Sequence, residues 1–201
     1  MIIVGAGGFG RELVSWMQHG GAARDIAGYL DDAGPAEGMS APYLGTVESY
    51  APQAEDRFIC AIGDPAQKRA AVTALKSKGA QFEGFRHPSS IIVASATLGE
   101  GTIVGPFCVI SNQASIGDFV TLNSFCGGGH DIRIGDFSTL SAYIDVTGWV
   151  TLGEEVFIGS HASILPKVKV GNRCRIGAGA VVMRSMPDGT TSYAQPAKRL
   201  R

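Results

Sequence analysis

From Ile92 to Val182 every sixth residue is aliphatic, with one exception. The series runs Ile92, Leu98, Val104, Ile110, Ile116, Leu122, Gly128, Ile134, Leu140, Val146, Leu152, Ile158, Ile164, Val170, Ile176, Val182. Four residues after each of these, up to Ala180, stands a small or β-branched residue such as Ala96, Cys108, Cys126, Ile144 or Ala162. A helical stripe recurs at 3.6 residues and a half-buried strand alternates at 2, so neither produces this pattern. A sustained six-residue period is that of a parallel β-helix, in which three hexapeptides close one triangular coil of about 18 residues. Coils stack as parallel ladders about 4.8 Å apart. The aliphatic residue then points into the prism with the small residue beside it, and the span holds about five coils. Glycines at 99, 101, 105, 117, 135, 153, 159, 171 and 177 fall where corners are expected, and turns tolerate Gly.

The exception carries information. Around Gly128 the chain reads Cys126-Gly127-Gly128-Gly129-His130-Asp131. A core aliphatic is missing, and three successive glycines cost conformational entropy on folding. Gly inside a strand marks a bulge or a close backbone approach, and a place where a local rule fails is a candidate functional site. One coil after His130, on the same corner, comes Gly148. Without a side chain it leaves space beside the imidazole, and its N–H could face a developing oxyanion; an ordinary corner glycine is the alternative.

Residues 1–85 follow a different pattern. Ile2 to Val4 reads as a strand, Gly5-Ala6-Gly7-Gly8-Phe9-Gly10 as a glycine loop, and Arg11 to His19 as a helix with Leu13, Val14 and Met17 on one face. Ile26 to Leu30 and Phe58 to Ile62 read as further strands, ending at Asp31-Asp32 and at Gly63-Asp64. Pro65 to Lys78 reads as a helix, Phe82 to Phe85 as a last strand, and 33–44 as loop. Such alternation predicts a small parallel sheet flanked by helices, a Rossmann-like half domain. The loop matches Gly-x-Gly-x-x-Gly between strand and helix, with Asp31 where a ribose hydroxyl would be bound. Amides at a helix N-terminus suit an anion, so Gly7, Gly8 and Phe9 join Asp31 and its neighbour Asp32 as candidate substrate-binding residues. A tight turn without ligand is the alternative. About 85 residues build one mononucleotide half rather than a dinucleotide site, which argues against NAD redox chemistry.

Composition narrows the classes further. The net charge is −1, so no basic footprint points to nucleic acid. No apolar run reaches the roughly 18 residues of a membrane span, and no leader segment is evident; the expectation is a cytoplasmic protein. Three of the four cysteines, Cys108, Cys126 and Cys174, occupy the small inward slot of the repeat, a packing role. No metal is expected. Cys126 near His130 could suggest a nucleophile or a metal ligand, but the repeat already explains it.

A glycine-loop domain feeding hexapeptide repeats resembles the bacterial sugar acetyltransferases of the NeuD/PglD type, within the left-handed β-helix acyltransferases. The resemblance spans essentially the whole chain. It rests on the opening Gly-Ala-Gly-Gly-Phe-Gly, Asp31-Asp32, Ala61-Ile62-Gly63, His87-Pro88, the repeats, His130-Asp131, and the tail Pro196-Ala197-Lys198-Arg199. It implies residues 1–86 as a nucleotide- or sugar-binding domain, with Gly63 among its binding residues. It implies 87–201 as a left-handed β-helix acetyltransferase domain with a C-terminal tail. It further implies acetyl-CoA as cosubstrate, a homotrimer, and surface-glycan biosynthesis, with a 4-amino-4,6-dideoxy sugar on a nucleotide as acceptor. His130 would be the general base, Asp131 its orienting partner, and Gly148 an oxyanion donor. Thr139, Gly148, Ser160 and Gly177-Ala178-Gly179 would line the acetyl-CoA groove, and Lys198-Arg199 would meet its phosphates. An imidazole suits the first role because its charge changes near neutral pH.

Phe9 stands where nucleotide-sugar members often carry His, Gly128-Gly129 replaces bulkier residues, and His161 either contacts CoA or fills a corner. The acceptor therefore stays open between an amine and a hydroxyl. O-acetylation of sialic acid or of a polysaccharide sugar is the alternative activity, and a non-catalytic β-helix scaffold is the alternative class. A zinc hexapeptide enzyme would need three converging histidines; only His130 and His161 lie in the repeats.

Overall fold

A computed structural model describes residues 1–19 and 26–196. The front region is a parallel sheet of four strands, β1 (Ile2–Val4), β2 (Gly28–Leu30), β3 (Tyr43–Gly45) and β4 (Phe58–Cys60), in the order β3-β2-β1-β4. β1, β2 and β4 are buried throughout, as parallel strands covered on both faces must be. Helix α1 (Gly8–His19) packs Leu13, Val14 and Met17 on the Ile3, Tyr29 and Ile59 side. Helix α2 (Pro65–Ser77) packs Val72 and Leu75 on the opposite side, with Ile2, Val4 and Phe58. Asp64 caps α2 by accepting the Ala66 and Gln67 N–H groups, with Pro65 at the first turn.

Two local expectations give way. Tyr43–Gly45, at the end of the expected loop, is an edge strand along β2. The last expected front strand divides: Phe82 makes a single bridge to Phe58, whereas β5 (Phe85–Arg86) pairs with Ile103–Val104 and is the first rung of the repeat region.

That region is a parallel β-helix. Two-residue strands form three sheets, one per face. A first face runs from Phe85–Arg86 to Thr191–Ser192, a second from Ile91–Ile92 to Val181–Val182, and a third from Thr97–Leu98 to Lys169–Val170. Registers such as Thr121 opposite Thr139 and Gly127 opposite Asp145 confirm the coil length expected from the period. The inward aliphatics from Val104 onward are buried, and Ile92 and Leu98 at the open end are partly buried. Among the described residues no helix is long and apolar enough to cross a membrane.

The corners differ from expectation in an instructive way. One residue per corner has positive φ, and most of these are not glycine: Phe107, Gln113, Phe119, Phe125, Asp131, Phe137, Tyr143, Trp149, Glu155, His161, Lys167 and Arg173 lie at φ 54–66°. Each amide at such a position reaches back to the preceding coil, as Asp131 N–H does to the Asn112 carbonyl and Trp149 N–H to that of His130. The glycines beside them serve another purpose. A Cβ at Gly135 would lie 2.5 Å from the Gly153 carbonyl carbon, and one at Gly99 2.5 Å from that of Gly117. They permit close stacking of coils rather than the left-handed turn itself.

The front region rests on the first face and on the corner before it. There Phe119 and Phe137 stack, with Phe82 edge-on to Phe119. The Arg69 guanidinium lies 4.4 Å over Phe137 and also pairs with Glu154 and Glu155. Lys76 pairs with Glu100 above Phe119, and Arg175 with Asp64.

Candidate functional site

His130 lies at the corner joining the second and third faces. Its Nδ1 is 2.9 Å from Asp131 Oδ2. The left-handed backbone of Asp131 (φ 59°) lets adjacent residues make this contact. An ionised carboxylate only accepts, so in a neutral imidazole this contact selects the tautomer with the proton on Nδ1 and the lone pair on Nε2. Nε2 has no hydrogen-bond partner among the described residues. Both side chains remain about half exposed, as a site open to substrate requires.

The next coil is shaped around this ring. A Cβ at Gly148 would sit 2.7 Å from Nε2 and 2.8 Å from Cε1 of His130, so the imidazole fills space that only Gly can leave. The Gly148 N–H finds no acceptor among the described residues. Above it, Gly129 must be Gly because a Cβ there would meet the Gly148 nitrogen at 2.8 Å. Trp149 flanks the ring edge-to-face, with centroids 4.3 Å apart; its only sequence signal is a bulky residue next to Gly148. Cys126 is fully buried, with its Sγ on the Ser141 carbonyl. Contact with Cys108 and then burial push its thiol up, which is the packing role and not that of a nucleophile.

The cofactor candidates separate into two places. Ser160, His161 and Gly177-Ala178-Gly179 meet in consecutive coils at the corner between the first and second faces, where Gly179 N–H donates to the Ser160 carbonyl. The same corner carries an exposed ring ladder, Phe107–Phe125–Tyr143–His161, with centroids 4.6–4.9 Å apart. A full face of the prism separates it from His130. Thr139 lies elsewhere. It is buried on the first face, its hydroxyl 2.8 Å from Lys68 Nζ, because α2 covers that face; it lines no open groove in this chain. Lys198 and Arg199 lie outside the described residues.

In the front region the four glycines of the loop divide among three roles. Gly5 takes φ 96°, and a Cβ at Gly10 would meet the Gly5 carbonyl oxygen at 2.2 Å. Gly7, Gly8 and Gly63 have open space where a Cβ would point. This division suits a tight turn, an exposed backbone and close strand–helix packing. Phe9 packs on Trp16 along α1. The Asp31 carboxylate accepts the Ala6 and Ala33 N–H groups, and Asp32 accepts that of Val47, so both shape the loops around the strand ends. Both also line a cavity of about 620 Å³ between those ends and α2, together with Gly5, Ile62 and Gln67. Among the described residues no group of three or more His, Cys, Asp or Glu is arranged to hold a metal ion.

Comparison with known proteins agrees with this architecture. A family model for the PglD N-terminal domain matches residues 1–75, and one for the bacterial transferase hexapeptide (six repeats) matches 150–184. A search of curated protein sequences found no match. Among solved structures, a histidine-to-asparagine variant of perosamine N-acetyltransferase from Caulobacter crescentus, in complex with CoA and GDP-perosamine, superposes with a TM-score of 0.90. It is 27% identical, over 98% of this chain and 94% of that one. The acetyltransferase domain of PglB from Neisseria gonorrhoeae, with acetyl coenzyme A, gives 0.85 at 27% identity, over 99% and 98%. WeeI from Acinetobacter baumannii gives 0.86 at 25%, over 99% and 98%.

Proposed function

We propose, from the premise that this chain is a hexapeptide-repeat acyltransferase of the NeuD/PglD type, that it moves the acetyl group of acetyl-CoA to the amino group of a nucleotide-linked 4-amino-4,6-dideoxy sugar. One observation carries this reading: a histidine held through Nδ1 by Asp131, with Nε2 free above a coil cleared by Gly148. As the acceptor nitrogen bonds to the thioester carbon, its proton passes to Nε2 of His130. The carbon–sulfur bond then breaks and the proton goes on to the CoA sulfur, leaving no acyl-enzyme. Asp131 orients the ring and stabilises the imidazolium, and the Gly148 N–H faces the oxyanion.

Residues 1–86 would hold the acceptor and 87–201 would carry the transfer. The open backbone at Gly7, Gly8 and Gly63, with the cavity edged by Asp31 and Asp32, supports a nucleotide there. The sugar nucleotide in the Caulobacter complexes supports an amino-sugar acceptor. Ser160 and Gly177-Ala178-Gly179 would line the CoA path. Their distance from His130 on one chain, and the exposed ring ladder beside them, suit a groove between copies, hence a homotrimer. A cytoplasmic location fits both substrates.

The test is CoA release from acetyl-CoA with UDP-, dTDP- and GDP-linked 4-amino sugars, CMP-sialic acid and free sialic acid. Turnover with one amino-sugar nucleotide, lowered by about 10²–10⁴-fold in His130→Ala, is the expected result. Full activity in that variant overturns the mechanism. Turnover only with a hydroxyl acceptor would make the enzyme an O-acetyltransferase.

A further inference from the structure

Gln113, Asp131, Trp149 and Lys167 occupy one corner in successive coils, all with left-handed backbone. That conformation costs an L-residue about 1–2 kcal/mol. At the other two corners, bulky left-handed side chains gain ring-on-ring stacking in return, along Phe107–Phe125–Tyr143–His161 and in Phe119–Phe137. Trp149 has no ring in the coil above or below at its position. About half of it is exposed, so burial does not explain it either. Among the described residues its ring contacts are the His130 imidazole, 4.3 Å away at 90°, and the Lys167 ammonium, 5.6 Å from its centroid.

We propose that Trp149 is a positioning residue for His130. The edge-to-face contact confines the imidazole to the one rotamer in which Nδ1 meets Asp131 and Nε2 lies over Gly148. A ring held in that rotamer meets the acceptor proton with Nε2 already in place, so the gain is one of orientation and falls on the chemical step. Lys167 anchors the indole from the following coil. This inference rests on the transferase reading, in which His130 is the base.

The experiment uses the full chain and two variants. Trp149→Asn removes the ring but keeps a residue that tolerates positive φ, so the corner folds. Trp149→Phe keeps a ring. With acetyl-CoA and the accepted sugar nucleotide, Trp149→Asn is expected to lower kcat roughly tenfold, less than the ~10²-fold that a misplacement of about 1 Å at a reacting group costs. Both KM values should stay within about twofold and the melting temperature should not fall, and Trp149→Phe should recover most of the loss. Wild-type kcat in the Asn variant, or a loss confined to KM, overturns the proposal. NMR of the His130 ring, assigned with His130→Ala, gives a readout that needs no acceptor. A single ordered ring signal in the wild type that averages in Trp149→Asn supports the positioning role, and an unchanged signal refutes it. If the wild type acetylates nothing, the transferase reading fails, while the NMR result still decides whether Trp149 fixes the ring.

Discussion

Two corners of the same prism share one backbone geometry and treat their polar groups in opposite ways. At the Phe119–Phe137 corner almost every polar group is engaged. Lys68 reaches from α2 to four oxygens, the Phe119 and Ser138 carbonyls and the Thr121 and Thr139 hydroxyls, while Arg69 and Lys76 meet both carboxylates and ring faces. At the His130 corner the polar groups stay open: Nε2 and the Gly148 N–H have no partner among the described residues, and a side chain is missing where one would block the ring. Satisfied polar groups bind the two regions together. Open ones, held in place by Asp131 and Trp149, are what a reaction requires.

The sharpest way to break this comparison is to close the open corner. Gly148→Ala puts a methyl 2.7 Å from Nε2, so the imidazole must move. A displacement of about 1 Å at a reacting group costs on the order of 10²-fold. We expect kcat to fall by that much while the melting temperature changes little, since the side chain there lies outside the core. An active Gly148→Ala enzyme would show that the ring works from another position.

The engaged corner should answer in stability instead. Lys68→Met keeps the length of the side chain but removes the donor shared by the Phe119 carbonyl and the Thr121 and Thr139 hydroxyls, while the Ser138 carbonyl keeps the Thr121 N–H, a loss of about 1–3 kcal/mol. Burial lowers the Lys68 ammonium to about 7, with Cys60 and Asp64 pulling weakly the other way. Below that pH both folded and unfolded chains are protonated, and the full cost of burying the charge is present. Between pH 7 and 9 the unfolded chain still binds the proton that the folded chain has released, so stability should rise with pH. Thermal melts at pH 7, 8 and 9 should show that rise in the wild type and lose it in Lys68→Met. A parallel rise in the variant would assign the dependence to another group.

The same contrast explains what could be read from sequence. The coil, its register and its core follow from the six-residue period because a repeat is local information, and Gly128 exposed the candidate site because it interrupts that repeat. His130 and Gly148 were legible together because one coil is a fixed step along the chain. Which residues take positive φ was not, since the stacking glycines are the conspicuous ones, while Phe125 or Arg173 gives no composition signal. Lys68 looked like any exposed lysine in Pro65–Ser77, and its burial arises only from docking of α2 on the first face.

Thr139 is the smallest and most discriminating case. Its place in the hexapeptide matches that of other outward strand residues, so the repeat gives no sign that this face is covered. Resemblance set it in the cofactor groove, and the structure sets its hydroxyl on Lys68. Thr139→Val removes one of four acceptors and conserves shape, which should cost about 1 kcal/mol and leave KM for acetyl-CoA unchanged within about twofold. Isothermal titration of CoA with this variant separates the two placements. A tenfold weaker affinity would mean that α2 leaves the first face when the cofactor binds, and that the engaged corner is then as open as its counterpart; unchanged affinity with a lower melting temperature keeps Thr139 in the joint between the regions.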